Sequence, residues 1–178
     1  MKAQGLLPID RYLDTLRIVQ KEGIHLSYSW QRLFSRVIDA AWVQALDNKP
    51  ELAEQLEAFV SRFGRMQDTI ADKLLPRWLQ AQAENAGSQI EVLNRAERLG
   101  VVSNVEYWLE ARKLRNRLIH EYMEAPQDFA DDLNLAKEYT QMLVATYNQL
   151  QAYTANRMSI EAQNMPYALD ELPSNKGQ

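Results

Sequence analysis

The chain has 178 residues, a formal net charge of −4 and a hydrophobic fraction of 46%. This length suits a single domain with a sizeable core. The lack of cysteine excludes a disulfide framework and a thiolate site. The acidic balance argues against a protein that coats long nucleic acid by charge alone. The apolar runs are shorter than the roughly 20 residues of a membrane-spanning helix, and the apolar start is too short for a signal peptide, so we expect a cytoplasmic protein with no membrane partner.

Apolar residues recur at spacings of three and four along the chain, which predicts amphipathic helices. A first helix is expected over residues 10–22, where Gly23 ends it, and a second over residues 29–46. A third is expected over residues 51–78, with the stepping of a long bundle helix, and Pro76 should end or kink it.

Two short sequences have the form of a capping box, in which a serine and a glutamate three residues later satisfy each other's backbone amides. Ser88 with Glu91 predicts the start of a fourth helix, which Gly100 ends. Ser103 with Glu106 predicts the start of a fifth helix. We therefore expect the residues of the fifth helix to be held on a rigid element.

The fifth helix is predicted over residues 104–123 and the sixth over residues 127–153, after a break at Pro126. The short link makes these two helices antiparallel neighbours. The predicted fold is an all-α, antiparallel up-and-down bundle of about five to six helices, formed by residues 1–153 as one domain. Residues 154–178 lose the hydrophobic rhythm, so we expect a C-terminal tail that is mobile or ordered by a partner.

Segment 113–122 of the fifth helix holds the densest cluster of positive charge and one of only two histidines. The cations of this region are candidates for nucleic-acid binding: Arg112, Lys113, Arg115 and Arg117. Helical spacing places Arg115, Asn116 and His120 at the edge of the apolar face. That face is marked by Trp108, Leu109, Leu118 and Ile119.

A guanidinium fork fits a phosphate, and an imidazole exchanges protons near neutral pH. Together they can bind and cleave a phosphodiester without a metal ion. The simpler interpretation is a solvated helix face with a structural histidine. The other histidine, His25, lies where nothing nearby in the sequence completes a site. On the third helix Arg62, Arg65 and Asp68 flank the apolar seam, each either as a surface charge or as part of a site shared with the fifth helix.

Other kinds of site lack their sequence signatures. The chain has no glycine-rich phosphate loop, no pair of histidines at metal-ligand spacing and no nucleophile elbow. We therefore expect neither a metal ion nor a cofactor.

The residues from Arg115 onward resemble the motif of HEPN domains, the higher eukaryote and prokaryote nucleotide-binding family. That motif is an arginine, a polar residue, three further residues and a histidine, which Arg115, Asn116 and His120 match. Tyr122, two residues later, makes the match closer to the HepT-like toxins. The place of the motif on the penultimate long helix, just before a last helix that starts with proline, also resembles that family.

The resemblance implies a metal-independent endoribonuclease, the toxin of a toxin–antitoxin pair. It implies that Arg115 and His120 are the catalytic pair and that Asn116 is a supporting polar residue. It further implies a homodimer whose motif helices meet across the interface, RNA as the substrate, and a minimal nucleotidyltransferase antitoxin that modifies Tyr122 with AMP.

The chemistry favours a dimer independently. Metal-free RNA cleavage needs a base for the ribose 2′-hydroxyl, an acid for the leaving 5′-oxygen and a cation for the charge that develops on the phosphate. One chain supplies one suitable histidine, so two copies around a two-fold axis would complete the site and leave a 2′,3′-cyclic phosphate. Two alternatives stay open: a catalytically inactive nucleotide-binding or helical partner protein of a nucleotidyltransferase, and a structural module in which Arg115 pairs with Glu121 or Asp68.

Overall fold

The computed structural model describes residues 5–120 and 125–174, with His120 described by its backbone alone. These residues form seven α-helices and, within the described ranges, no β-strand, which confirms the all-α bundle. The helices are α1 Pro8–Leu33, α2 Ala40–Ala45, α3 Pro50–Thr69, α4 Leu75–Ala81, α5 Gln89–Arg98, α6 Val105–His120 and α7 Pro126–Arg157. No helix in the part of the chain that is described is long and apolar enough to cross a bilayer.

The bundle consists of four long helical segments, in which α3 and α4 together count as one and α1, α6 and α7 are the others. Neighbouring segments run antiparallel. Near one end of the bundle the Tyr12 hydroxyl is 2.6 Å from the Thr154 hydroxyl, and towards the other the Trp30 indole donates to the Lys137 carbonyl oxygen at 3.0 Å. Leucine and aromatic side chains fill the space between the segments. Each of those that is fully buried contributes roughly 1.5–3 kcal/mol.

The first helix does not end at Gly23, contrary to prediction. It runs unbroken to Leu33, and Gly23 is buried in its middle. A Cβ atom at this position would collide with a methyl group of Leu169 and lie 3.2 Å from the end of Met66. The glycine is therefore explained by close packing, and the sequence signal that it gives is the same as that of a helix stop.

The predicted second helix, residues 29–46, is also wrong. Its first part belongs to α1, which ends at Leu33, and a non-helical segment separates it from α2. Asp39 caps α2, because its carboxylate accepts a hydrogen bond from the Trp42 backbone amide at 2.8 Å. The apolar spacing continues through the break, so periodicity alone did not reveal it.

The third predicted helix is present, and Pro76 does not end it, because a π-helical turn precedes the proline. This turn, Ile70–Leu74, joins α3 to α4. The Leu75 amide donates to the Ile70 carbonyl oxygen, five residues back. Proline has no amide hydrogen and its ring crowds the carbonyl four residues earlier, so the wider turn accommodates it without ending the helix.

Side-chain caps fix the starts of α5 and α6. At α5 the capping box is confirmed, since the Ser88 amide donates to the Glu91 carboxylate at 2.7 Å and the Glu91 amide donates back to the serine hydroxyl. At α6 the predicted cap Ser103 is wrong by one residue. Asn104 is the cap, and its side-chain oxygen accepts from the Glu106 amide at 2.8 Å.

The C-terminal segment differs from the mobile tail that we expected, and the predicted boundary at residue 153 falls inside α7. Residues 158–174 fold back over α1 and α7. The Leu169 amide donates to the Asn148 side chain at 2.8 Å, and the Asn148 side chain donates to the Leu169 carbonyl oxygen at 2.9 Å. Leu169 and Leu172 are buried, but they lie in a non-helical segment, which a search for helical periodicity overlooks.

We expect Leu169→Ala to lower the free energy of unfolding by about 2–3 kcal/mol, because it empties the space beside Gly23. Urea denaturation measures this change. Tyr167→Ala is the matched control, since the Tyr167 side chain is 84% exposed and only its backbone is bound to the bundle. An equal and small effect for both variants would contradict the docked segment.

Candidate active site

A groove of about 630 Å³ lies between α3, the π-helical turn and the C-terminal half of α6. Its apolar wall consists of Leu56, Val60, Leu118, Ile119 and Phe129. Its charged rim consists of Glu57, Arg65, Asp68, Asp72, Lys73 and Arg115. A volume of this size is in the range of small-ligand sites, which combine apolar walls with a few oriented polar groups.

Arg115 reaches the groove by lying across α3. Its guanidinium forms an ion pair with Asp68, with 3.0 Å between the two closest atoms. Gly64, one turn earlier on α3, leaves room for the arginine, because a Cβ atom there would be only 2.9 Å from the arginine Nε. Gly64 therefore gives the arginine side chain room, and Asp68 holds its guanidinium at the rim of the groove.

The other cations of the predicted basic patch are directed elsewhere. Arg117 makes a two-point ion pair with Asp132 of α7, with distances of 3.0 and 2.9 Å. Lys113 pairs with a glutamate on its own helix, and Arg112 hydrogen-bonds to Gln89 of α5. The structure thus brings only Arg115 of these four to the groove. The nucleic-acid-binding role of Arg112, Lys113 and Arg117 stays a prediction.

Of the remaining predicted site residues, the structure describes Asn116 in full and His120 by its backbone, both on α6. Asn116 is exposed on the surface of this helix. The side chain of His120 and all of Tyr122 lie outside the described residues, so the catalytic role predicted for His120 and the modification predicted at Tyr122 stay predictions.

The apolar face of α6 is narrower than predicted. Trp108 and Leu118 are buried as expected, but Leu109 is 37% exposed and Ile119 is 51% exposed. Ile119 borders the groove, one residue before His120. Ile119 therefore adds exposed apolar surface to the groove, next in the sequence to the predicted catalytic position.

Charges around the groove are nearly balanced. Arg65, Lys73 and Arg115 face Glu57, Asp68 and Asp72, and the Asp68 carboxylate is already paired with Arg115. The groove consequently offers a few placed charges and little net field to attract a polyanion. Among the residues that the structure describes, no cluster of three or more His, Asp or Glu side chains could hold a metal ion.

Gly64 is the site residue that the sequence analysis missed. A glycine inside an exposed stretch of helix costs about 1 kcal/mol relative to alanine, so its presence within a long helical pattern indicates close packing or function. The sequence therefore marks Gly64 as unusual, but it does not show that Arg115 is the residue that packs against it.

No protein-family model, curated protein or solved structure matches this chain. The resemblance to HEPN domains consequently depends on the short motif that starts at Arg115 and on its place in an all-helical chain.

We expect the Asp68–Arg115 pair to contribute little to stability, because the two side chains are 42% and 33% exposed and surface ion pairs contribute about 0.2–1 kcal/mol. A double-mutant cycle with Asp68→Ala and Arg115→Ala, measured by urea denaturation, gives this coupling energy.

The Arg117–Asp132 pair on the same helix is the matched comparison, and its coupling should be larger, since it has two contacts and Asp132 is only 15% exposed. A coupling for Asp68–Arg115 as large as that of Arg117–Asp132 would instead favour a structural ion pair.

Proposed function

We propose that the protein is a metal-independent endoribonuclease, the toxin of a toxin–antitoxin pair, in which Arg115 and His120 act in a cleft formed across a homodimer. The observation that supports this most is the placement of Arg115. It is the member of the basic cluster that faces the groove, and Gly64 and Asp68 hold it there.

The proposed reaction is a transesterification. The imidazole of His120 from one protomer removes the proton of the ribose 2′-hydroxyl, and the 2′-oxygen attacks the phosphorus. The bond from phosphorus to the 5′-oxygen breaks, and His120 of the second protomer protonates the leaving oxygen. Arg115 stabilises the charge on the phosphate oxygens, and Asn116 supports the site as a hydrogen-bonding group. The products are a 2′,3′-cyclic phosphate and a 5′-hydroxyl.

The ion pair with Asp68 is compatible with phosphate binding. It uses one terminal nitrogen of the guanidinium, and an arginine carries five N–H donors in a planar fork. An arginine held along one edge can present its other donors to a phosphate without losing further side-chain entropy.

A minimal nucleotidyltransferase antitoxin is the proposed partner. Transfer of AMP to Tyr122 would add a bulky, negatively charged group two residues after His120. A negative charge there repels the phosphate of an RNA substrate, so the modification would switch the nuclease off.

A second function has a specific observation in its favour. The Arg115–Asp68 ion pair is the contact that the structural-module alternative predicted. With its guanidinium paired in this way, the chain would also suit a catalytically inactive nucleotide-binding protein or a helical partner of a nucleotidyltransferase. In that case RNA or nucleotide binds without being cut.

We expect the purified protein to cleave single-stranded RNA in EDTA, and we expect His120→Ala and Arg115→Ala each to lower the rate by at least about 100-fold. Gel analysis of a labelled RNA gives the rate, and mass spectrometry of the fragments identifies the cyclic phosphate. Arg98→Ala, an exposed arginine on α5, is the control for loss of one positive charge.

Cleavage that persists unchanged in His120→Ala would refute the catalytic assignment. Binding of RNA without cleavage by the wild-type protein would favour the second function. Circular dichroism of each variant separates loss of activity from loss of folding.

A further inference from the structure

Two arginines on α3 connect the groove to two further cavities at the seam between α1 and α3. Arg65 lines both the groove and a cavity of about 240 Å³, which Glu22, His25 and Arg62 complete. Arg62 also lines a third cavity, of about 330 Å³, together with Tyr28 and Arg32 of α1. The three cavities are therefore neighbours along α3, and we call the two between α1 and α3 the α1–α3 lane.

The middle cavity places two arginines of α3 opposite Glu22 and His25 of α1. Because α1 and α3 are antiparallel, Glu22 and His25 on one helix face Arg62 and Arg65 on the other. One terminal nitrogen of Arg62 donates to the His25 carbonyl oxygen at 3.1 Å and to the Ser29 hydroxyl at 2.7 Å. These two bonds orient the guanidinium and leave its second terminal nitrogen and Nε for another acceptor.

Arg65 can bind an anion, and the carboxylate of Glu22 is directed away from the mouth of the cavity. The Arg65 side chain is exposed, and among the described residues it has no hydrogen-bonding partner. The Glu22 carboxylate is turned away from solvent, since one oxygen accepts from the Thr69 hydroxyl at 2.9 Å and the other is buried. Burial raises the pKa of Glu22, while the Thr69 hydrogen bond and the nearby Arg65 act to lower it. The mouth of the cavity presents the two arginines and His25, with the Glu22 carboxylate directed inward.

The third cavity differs in character. The Tyr28 ring is 58% exposed, and its hydroxyl accepts a hydrogen bond from Arg32 at 3.0 Å. Glu51 and Glu54 line the opposite wall, so this end disfavours a phosphate. An exposed aromatic ring held by an arginine is instead suited to stacking with a nucleobase.

We propose that the α1–α3 lane binds the single-stranded RNA on one side of the cleavage point, with a phosphodiester at Arg62, Arg65 and His25 and a base on Tyr28. The identity of the ligand rests on the proposed function. Arg62 precedes Asp68, the ion-pair partner of Arg115, by six residues, or about 9 Å along the helix. The phosphate in the lane therefore belongs to a different nucleotide from the one that is cut.

The test uses the His120→Ala protein, which removes the catalytic histidine and leaves His25 as the only imidazole in the chain. Its single set of imidazole signals in NMR then reports on the lane without assignment. We expect an octanucleotide, and inorganic phosphate at matched ionic strength, to shift these signals, and we expect Arg62→Ala/Arg65→Ala to abolish the shifts.

Fluorescence anisotropy measures affinity on the same proteins. The double substitution should weaken octanucleotide binding at least tenfold, lower the dependence of log K on log salt by about 0.7–1.4, and leave dinucleotide binding unchanged. Arg11→Ala/Arg98→Ala removes the same charge from exposed positions outside the lane and should have little effect.

The experiments can refute the lane and the proposed function independently of each other. If the wild-type protein cuts RNA but the His25 signals do not move and both double variants bind alike, the lane is refuted and the nuclease stands. If the wild-type protein does not cut RNA but the octanucleotide shifts the His25 signals and the shift requires Arg62 and Arg65, the lane stands and the nuclease is refuted.

Discussion

The close approach of α6 to α3 at Gly64 is the contact on which the candidate site depends. Gly64 lets Arg115 lie across α3 and reach Asp68. The glycine costs the helix about 1 kcal/mol relative to alanine, and one half-exposed ion pair returns less than that. The ion pair alone therefore does not account for the arrangement. Gly64 is buried, and the aliphatic part of Arg115 packs directly over it, so close packing of the two helices places the guanidinium beside the groove.

Glycines inside helices show why local sequence gave only part of the fold. Gly100 ends α5 with a positive φ of 77°, as its position after a helical pattern predicts. Gly23 follows a similar pattern but lies inside α1, because its missing side chain makes room for Leu169 from the far end of the chain. The two roles have the same local signature, and a contact between distant segments decides between them.

The other successes and errors divide in the same way. The capping box at Ser88 is a local arrangement of four residues, and its prediction was confirmed. At α6, Ser103 and Asn104 are both suitable caps. Asn104 is the one used, and beside it the Glu97 carboxylate of α5 accepts a hydrogen bond from the Val105 amide. The ion pair of Arg117 shows the same dependence on distant contacts, because its partner Asp132 lies on the next helix and the local sequence does not indicate it.

The near balance of charge around the groove restricts the substrate that the proposed nuclease can use. A chain with a net charge of −4 cannot hold RNA by a broad positive surface, so binding must come from a few placed groups such as Arg115, Arg65 and Arg62. The accessible apolar surface of the groove, at Val60 and Ile119, would receive a base only if that base is not stacked inside a double helix. Paired RNA keeps its bases inside the helix and offers proteins mainly phosphates and ribose hydroxyls, whereas an unpaired strand can turn a base outward. The apolar wall and the scarcity of free cations thus point to the same substrate, an unpaired segment of RNA.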